Sequence, residues 1–347
     1  MKALAVRAAP SRRLRFATLQ SNLKRRAGRR LTDQKKQPRV NLEGKLLNPA
    51  VPVTFFEIVP PAVGKPEAVG ATLREVEKVR HLVDAINIPE IHDESRGSER
   101  TAQFVARVEP RWLGARLQRE LATEVVINRV TVHDADPQPW FEATCRDFGI
   151  QHIVLVGGES PMIPYPGPNP QEAADLVRGA GLPISLGGIT IPSRPDEADR
   201  IRNKHAAGMT FFTSQILFDS NDIVWLVQRL NGLEARIFLS FAPVSHPRDL
   251  EFLRWLGADI PQDLDRFLLG SDPDSARAKE TCFERSLNLA QRILMDVFDN
   301  LPPDPPLLGL NVEHINRRNF ASAVRMLERL GGLYANLIAS RARAGRT

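Results

Sequence analysis

From Pro52 onward the chain alternates between short apolar, β-branched runs and longer stretches with apolar residues at three- and four-residue steps. The first kind predicts strands buried on both faces, and the second predicts amphipathic helices. The first strand is predicted at Val53–Val59, stopped by Pro60-Pro61; a helix follows through Leu73, Val76, Val79, Leu82 and Val83. Further strands are predicted at Ala85–Ile88, Glu124–Val132, His152–Val156, Ile184–Ile191, Thr210–Leu217, Arg236–Phe241 and Leu307–Val312. Helices are predicted after Pro137, from Asn169-Pro170, from Pro195, and near Asp222, Pro247, Ala276 and Arg318. Asn169 supplies a cap ahead of a proline at the first helical position, and Gly149 and Gly208 stop the helices before them. The Pro-rich run Leu301–Pro306 is followed by another strand and helix, so it reads as a rigid loop and not a linker.

Strands that alternate regularly with helices form a parallel sheet with helices outside it. Eight of each favour closure, so the expected fold is α/β: a single (β/α)8 TIM barrel over residues 51–347. The hydrophobic fraction of 42% is ample for such a core. No apolar run approaches the ~20 residues needed to span a bilayer, so no membrane partner is expected.

Charge separates the first 50 residues from the rest. Residues 1–45 hold fourteen Lys or Arg against two acids, leaving 33 basic and 39 acidic residues beyond them. The net charge of +6 therefore belongs to a basic N-terminal extension (1–50), and the barrel itself is mildly acidic. That distribution does not describe a nucleic-acid-binding surface. The start is Arg-rich and free of acids as far as Leu31. It reads as a solvated, flexible extension on a cytoplasmic protein, or as an organellar transit peptide. Two cysteines, Cys145 and Cys282, with no CxxC or metal-ligand spacing, fit a reducing compartment.

In such barrels chemistry sits at the C-terminal ends of the strands, where the loops surround one mouth. Polar residues recur there. Glu57 lies inside an apolar strand, where an unpaired carboxylate is costly to bury. Glu90, His92, Asp93 and Glu94 follow strand two, Asn128, Thr131, His133 and Asp134 mark strand three, and Glu159 follows Gly157-Gly158. Ser193 and Arg194 end strand five, Gln215 lies on strand six, Ser240 ends strand seven, and Glu313, His314 and Asn316 follow strand eight. The convergence of Glu57, Glu159 and Gln215 on one rim is the strongest of these signals. His92-Asp93 and His133-Asp134 lack HxxxH or HxH spacing, so no metal is expected. The paired glycines are not GxGxxG and open no helix directly.

Five segments carry a resemblance: Phe55-Phe56-Glu57-Ile58-Val59-Pro60-Pro61, Phe148–Val154 with Gly158-Glu159 and Pro161, Ala207–Asp219, Ala242-Pro243-Val244-Ser245, and Ile315-Asn316-Arg317. In this order and spacing, over residues 51–335, they resemble methylenetetrahydrofolate reductases. The resemblance implies reduction of 5,10-methylenetetrahydrofolate to 5-methyltetrahydrofolate with hydride from NADH or NADPH. It implies that Glu57 is the general acid and that Glu159, Gln215, Asn316 and Arg317 bind the folate, with Glu159 standing where the family usually has aspartate. For the cofactor, Thr131 and Gly158 fall in the family's segments, and Arg194, Arg202 and Lys204 are, by residue type, cations that could hold a phosphate. FAD is the family's cofactor, yet the arginine–glycine–aspartate of flavin-dependent members is Gly157-Gly158-Glu159 here. Their histidine–leucine–threonine is Arg129-Val130-Thr131, and their tyrosine after strand five has no counterpart. Ile191-Pro192-Ser193-Arg194 and Leu239-Ser240-Phe241 resemble a flavin-free branch, so direct hydride transfer is the expectation. A folate-dependent methyltransferase and a non-catalytic folate-binding protein are the alternatives. The expected partner is a small-molecule folate.

Overall fold

The computed structural model describes residues 42–93, 103–160, 162–269 and 276–344. Its strands are β1 (Thr54–Ile58), β2 (Ala85–Pro89), β3 (Glu124–Val130), β4 (His152–Val156), β5 (Ser185–Thr190), β6 (Met209–Ile216), β7 (Arg236–Phe241) and β8 (Leu307–His314). They pair in parallel and in chain order, and β8 closes on β1 to complete the barrel. The eight predicted strands are therefore present. β3 stops short because Thr131–His133 turns into a 3-10 helix. β8 runs past Val312 to His314, and that difference matters for the site.

Helices Pro66–Val79, Pro110–Leu121, Pro170–Gly179 and Pro247–Trp255 all start on proline, whose fixed φ suits the first turn and whose missing N–H costs nothing there. Glu109, Asn169 and His246 cap three of them. Between β7 and β8 the chain inserts Pro247–Trp255, Leu264–Leu269 and Ala276–Asp299. Their apolar faces join Ile216, Phe218, Ala242 and Val244 in a second core above the barrel wall. No helix among the described residues is long and apolar enough to cross a membrane.

Strand residues alternate between two environments. Phe56, Ile58, Ile86, Ile127, Leu239, Leu310 and Val312 pack outward against the helices. Val53, Phe55, Ala85, Val126, Val154, Phe211 and Phe238 fill the lower interior. Phe55 stacks on Phe238 at 3.9 Å, and Phe211 meets both rings edge-on. Gly187 and Gly309 make room for them: a Cβ at Gly187 would collide with the Phe211 ring, and one at Gly309 with Phe238. Large and small residues thus interlock across the barrel.

The floor is closed by the helix Leu42–Leu46, whose two leucines are buried in this interior. Arg236, 1% exposed at the start of β7, donates to the carbonyls of Lys45, Leu46, Asn48, Val51 and Leu308. Tyr334 receives Val53 N–H and Arg236, and donates to the Leu308 carbonyl. Lys45 pairs with Asp84 at 2.7 Å. Residues 42–50, read from sequence as the end of the extension, thus form the underside of the barrel. The Arg-rich start that precedes them lies outside the described residues.

Replacing Gly309 with Ala forces a methyl into the Phe238 ring. The expected cost is roughly 1–3 kcal/mol, read by denaturant unfolding; an unchanged midpoint would mean that the interior is not closely packed.

Candidate functional site

Following the inward positions up each strand, the interior changes character. Phe55 gives way to Glu57 on β1, Ala85 to Asn87 on β2, Val126 to Asn128 on β3, and Phe238 to Ser240 on β7. On β8 the inward series is Gly309, Asn311, Glu313. The lower half is apolar and the mouth is polar.

Glu57 and Glu313 are direct neighbours in the β1/β8 register, on the same inward face. Parallel neighbours lie about 4.8 Å apart, so the two carboxyls share one small volume. Asn87 Nδ2 donates to Glu57 Oε2 at 2.9 Å, and Asn311 Nδ2 donates to Glu313 Oε1 at 3.2 Å and to Ser240 Oγ at 3.0 Å. Burial raises the proton affinity of Glu57 well above the ordinary carboxyl value, and the negative charge of Glu313 adds to it. Burial also lifts Glu313, from 4.5 to about 7, against the opposing effect of Ser240. Because the two are coupled, their protons leave in two steps that belong to the pair. A site of this kind can hold a proton at neutral pH and deliver it to a bound ligand.

Gln215 stands on the same rim. Its amide nitrogen donates to the Leu256 carbonyl at 3.1 Å and its oxygen accepts Ile216 N–H at 3.0 Å, which leaves one N–H and one lone pair. Glu159 is half-buried, and its backbone N–H donates to the Tyr165 hydroxyl at 3.0 Å. Tyr165 also covers Gly158: a Cβ there would enter the tyrosine ring. The absence of a side chain at Gly158 is thus accounted for within the chain. Beside it, His133 packs edge-on against Tyr165 at 5.4 Å and lies 4.5 Å from His92. The rings from the loops after β2, β3 and β4 therefore line one side of the rim. Arg129, behind them, is held by Glu90 at 2.7 Å and Asp134 at 2.9 Å and lies over Trp140.

Asn316 is engaged in holding loops together. Its Oδ1 accepts Arg318 and Asn319 N–H, and its Nδ2 donates to Asp249 at 3.2 Å. Asp249 in turn accepts Ser245 N–H, the Ser245 hydroxyl and His246 N–H. This link ties the loop after β8 to the loop after β7. The side chain of Arg317 lies outside the described residues. A cavity of about 290 Å³, bordered by Pro60, Lys65, Thr72, Arg107, His314 and Asn316, lies on the outer side of the loop after β1.

The residues singled out for the cofactor are not gathered around one point. Thr131 is fully buried and its hydroxyl donates to the Pro168 carbonyl at 2.8 Å. Arg202 donates to the Arg229 carbonyl at the far end of helix Asn221–Arg229, on the floor side of the barrel. Lys204 is half-buried and donates to the Ile189 carbonyl at 2.6 Å, and its desolvation lowers its proton affinity. Arg194 keeps a partly exposed guanidinium, 3.9 Å from Glu197.

No family model matches this chain, and no curated protein matches it. The structure matches 451 chains of known structure, too many for likeness of fold to specify a chemistry. Among them is a protein from Clostridium thermocellum, described as uncharacterized and as binding two copies of 5-methyl-5,6,7,8-tetrahydrofolic acid. It is 18% identical, with a TM-score of 0.66 over 84% of this chain and 99% of its own. At that identity the likeness shows the fold alone.

The raised carboxyls have a consequence for stability. At Glu313 the folded state binds more protons than the unfolded state once pH exceeds 4.5, so the contribution of this group to stability is fully present below that value and is lost as pH rises through about 7. Glu313→Gln removes this penalty. Relative to the parent, the variant should gain on the order of 2 kcal/mol between pH 5 and pH 8 in denaturant unfolding. A stability difference that stays constant with pH would contradict the raised pair.

Proposed function

We propose that the mouth of this barrel binds a reduced folate and that the chain is a methylenetetrahydrofolate reductase-like oxidoreductase. The observation that carries the reading is the carboxyl pair at the base of the mouth, where burial and the neighbouring Glu313 raise the proton affinity of Glu57 well above that of an ordinary carboxyl. The ordered motifs noted in the sequence support it. So does the Clostridium thermocellum barrel, whose ligand is 5-methyltetrahydrofolate.

In this mechanism the Glu57 O–H donates to a nitrogen of the five-membered ring in 5,10-methylenetetrahydrofolate. The ring opens to an iminium, and the carboxylate left behind is steadied by the Asn87 amide. Hydride from NADH or NADPH then reduces the iminium carbon to a methyl group. Gln215 offers its remaining donor and acceptor to the pterin edge, and Glu159 accepts N–H groups from the opposite side of the rim. His92, His133 and Tyr165 line that side of the mouth.

The residues present do not fit a resident flavin. Thr131 and Lys204 are spent on backbone carbonyls, Arg202 faces the floor, and Tyr165 fills the space beside Gly158. The hydride passes straight from the nicotinamide to the folate. Of the predicted cations, Arg194 lies in the loop after β5 with a partly exposed guanidinium, and is the one offered to a nucleotide phosphate.

A non-catalytic folate-binding role is the second reading, favoured by the ligand of the Clostridium thermocellum protein, which is stated only as bound. A methyltransferase would need a methyl acceptor and would consume no nucleotide. The purified protein should oxidise NADH or NADPH only when 5,10-methylenetetrahydrofolate is present, and should show no flavin absorbance. Glu57→Gln should lower kcat by about 100-fold or more while leaving folate binding in place. Folate binding without nucleotide oxidation, with and without added FAD, would replace the reductase reading with the binding one.

A further inference from the structure

We propose that Glu313 is a positioning residue for Glu57: the two side chains hold one proton between them, and Glu313 keeps it resident at the mouth. This deepens the role given to Glu57 above and rests on it. The geometry is specific. The residues are in-register neighbours across the strand pair that closes the barrel, both directed inward. One oxygen of each carboxyl is fixed by an amide from a strand: Asn87 on Glu57 and Asn311 on Glu313. The other inward polar groups of the upper barrel are Asn128, Thr213, Gln215 and Ser240, and all are neutral. Neither carboxyl has an ion-pair partner among the described residues, and the charge that bears on Glu57 is that of Glu313.

The proton balance follows. When Glu57 gives its proton to the ligand, the O–H bond breaks and the pair is left with two negative charges at close quarters. That state is costly in a poorly solvated mouth, which drives capture of a replacement proton from water. Glu313 thereby resets the acid after each turnover without touching the ligand.

The test is an infrared titration of the full chain carrying ¹³C-labelled glutamate carboxyls, without folate or nucleotide. The wild type should show a protonated carboxyl at neutral pH. In Glu313→Gln the Glu57 midpoint should fall by about one pH unit or more, because the like charge is gone. Glu313→Asp, which keeps the charge, should hold the midpoint near its wild-type position. A Glu57 midpoint unmoved by Glu313→Gln would overturn the proposal. If that variant does not fold, Glu57→Gln reads the same coupling from the other side: the Glu313 midpoint should fall, and an unmoved one would overturn the proposal equally. The titration uses no substrate, so a failure to reduce folate would leave its result standing.

Discussion

Two carboxyl groups on adjacent parallel strands, facing the same interior, cannot both ionise without a large electrostatic cost. Much of the upper barrel is arranged around that constraint. Neutral amides hold the carboxyls in place without neutralising them, since Asn87 and Asn311 donate hydrogen bonds but carry no charge. A lysine or arginine in either position would make an ion pair and empty the site of its proton. The choice of asparagine therefore leaves the carboxyls without a cation, and their proton affinity stays raised.

The pairing depends on register, and register is settled at the opposite end of the molecule. A slip of one residue between β1 and β8 would turn Glu57 or Glu313 outward into the helical layer. Closure is secured below by the Phe55–Phe238 stack over Gly309 and by Tyr334, which touches Val53, Leu308 and Arg236 together. Arg236 satisfies the carbonyls at the end of the floor helix, so a buried guanidinium is balanced by oxygens rather than by a carboxylate in direct contact. Above, the link from Asn316 to Asp249 fixes the loops that follow β7 and β8. Floor, packing layer and loop staple thus all bear on the placement of one carboxyl pair.

The barrel was legible in the sequence because each strand is a short apolar run and each helix shows its own period, signals that are local. Glu57 was legible because a carboxylate among Phe55, Phe56, Ile58 and Val59 is costly unless used. Glu313 was visible as a polar residue after strand eight, but not as the partner of Glu57. The outward series Leu308, Leu310, Val312 could have extended that strand by two residues and turned Glu313 inward. Asn87 was hidden within a fully buried strand. The cofactor residues show the limit of local reading. Arg202 and Lys204 look like phosphate ligands by type, yet each meets a backbone carbonyl distant in sequence, Arg229 and Ile189. Gly158 looked like an approach to a ligand, and a tyrosine seven residues on fills its space.

The chemistry proposed for the mouth joins a proton held by the pair to a hydride brought by the nucleotide. Its most direct test is to supply NADH or NADPH deuterated at the transferring position, together with 5,10-methylenetetrahydrofolate, and to weigh the methyl group of the product. Direct transfer to an iminium opened by Glu57 predicts singly deuterated 5-methyltetrahydrofolate from the wild type, and the same product about 100-fold or more slowly from Glu57→Gln. An unlabelled methyl product, or labelled product formed equally well without the Glu57 carboxyl, would contradict it.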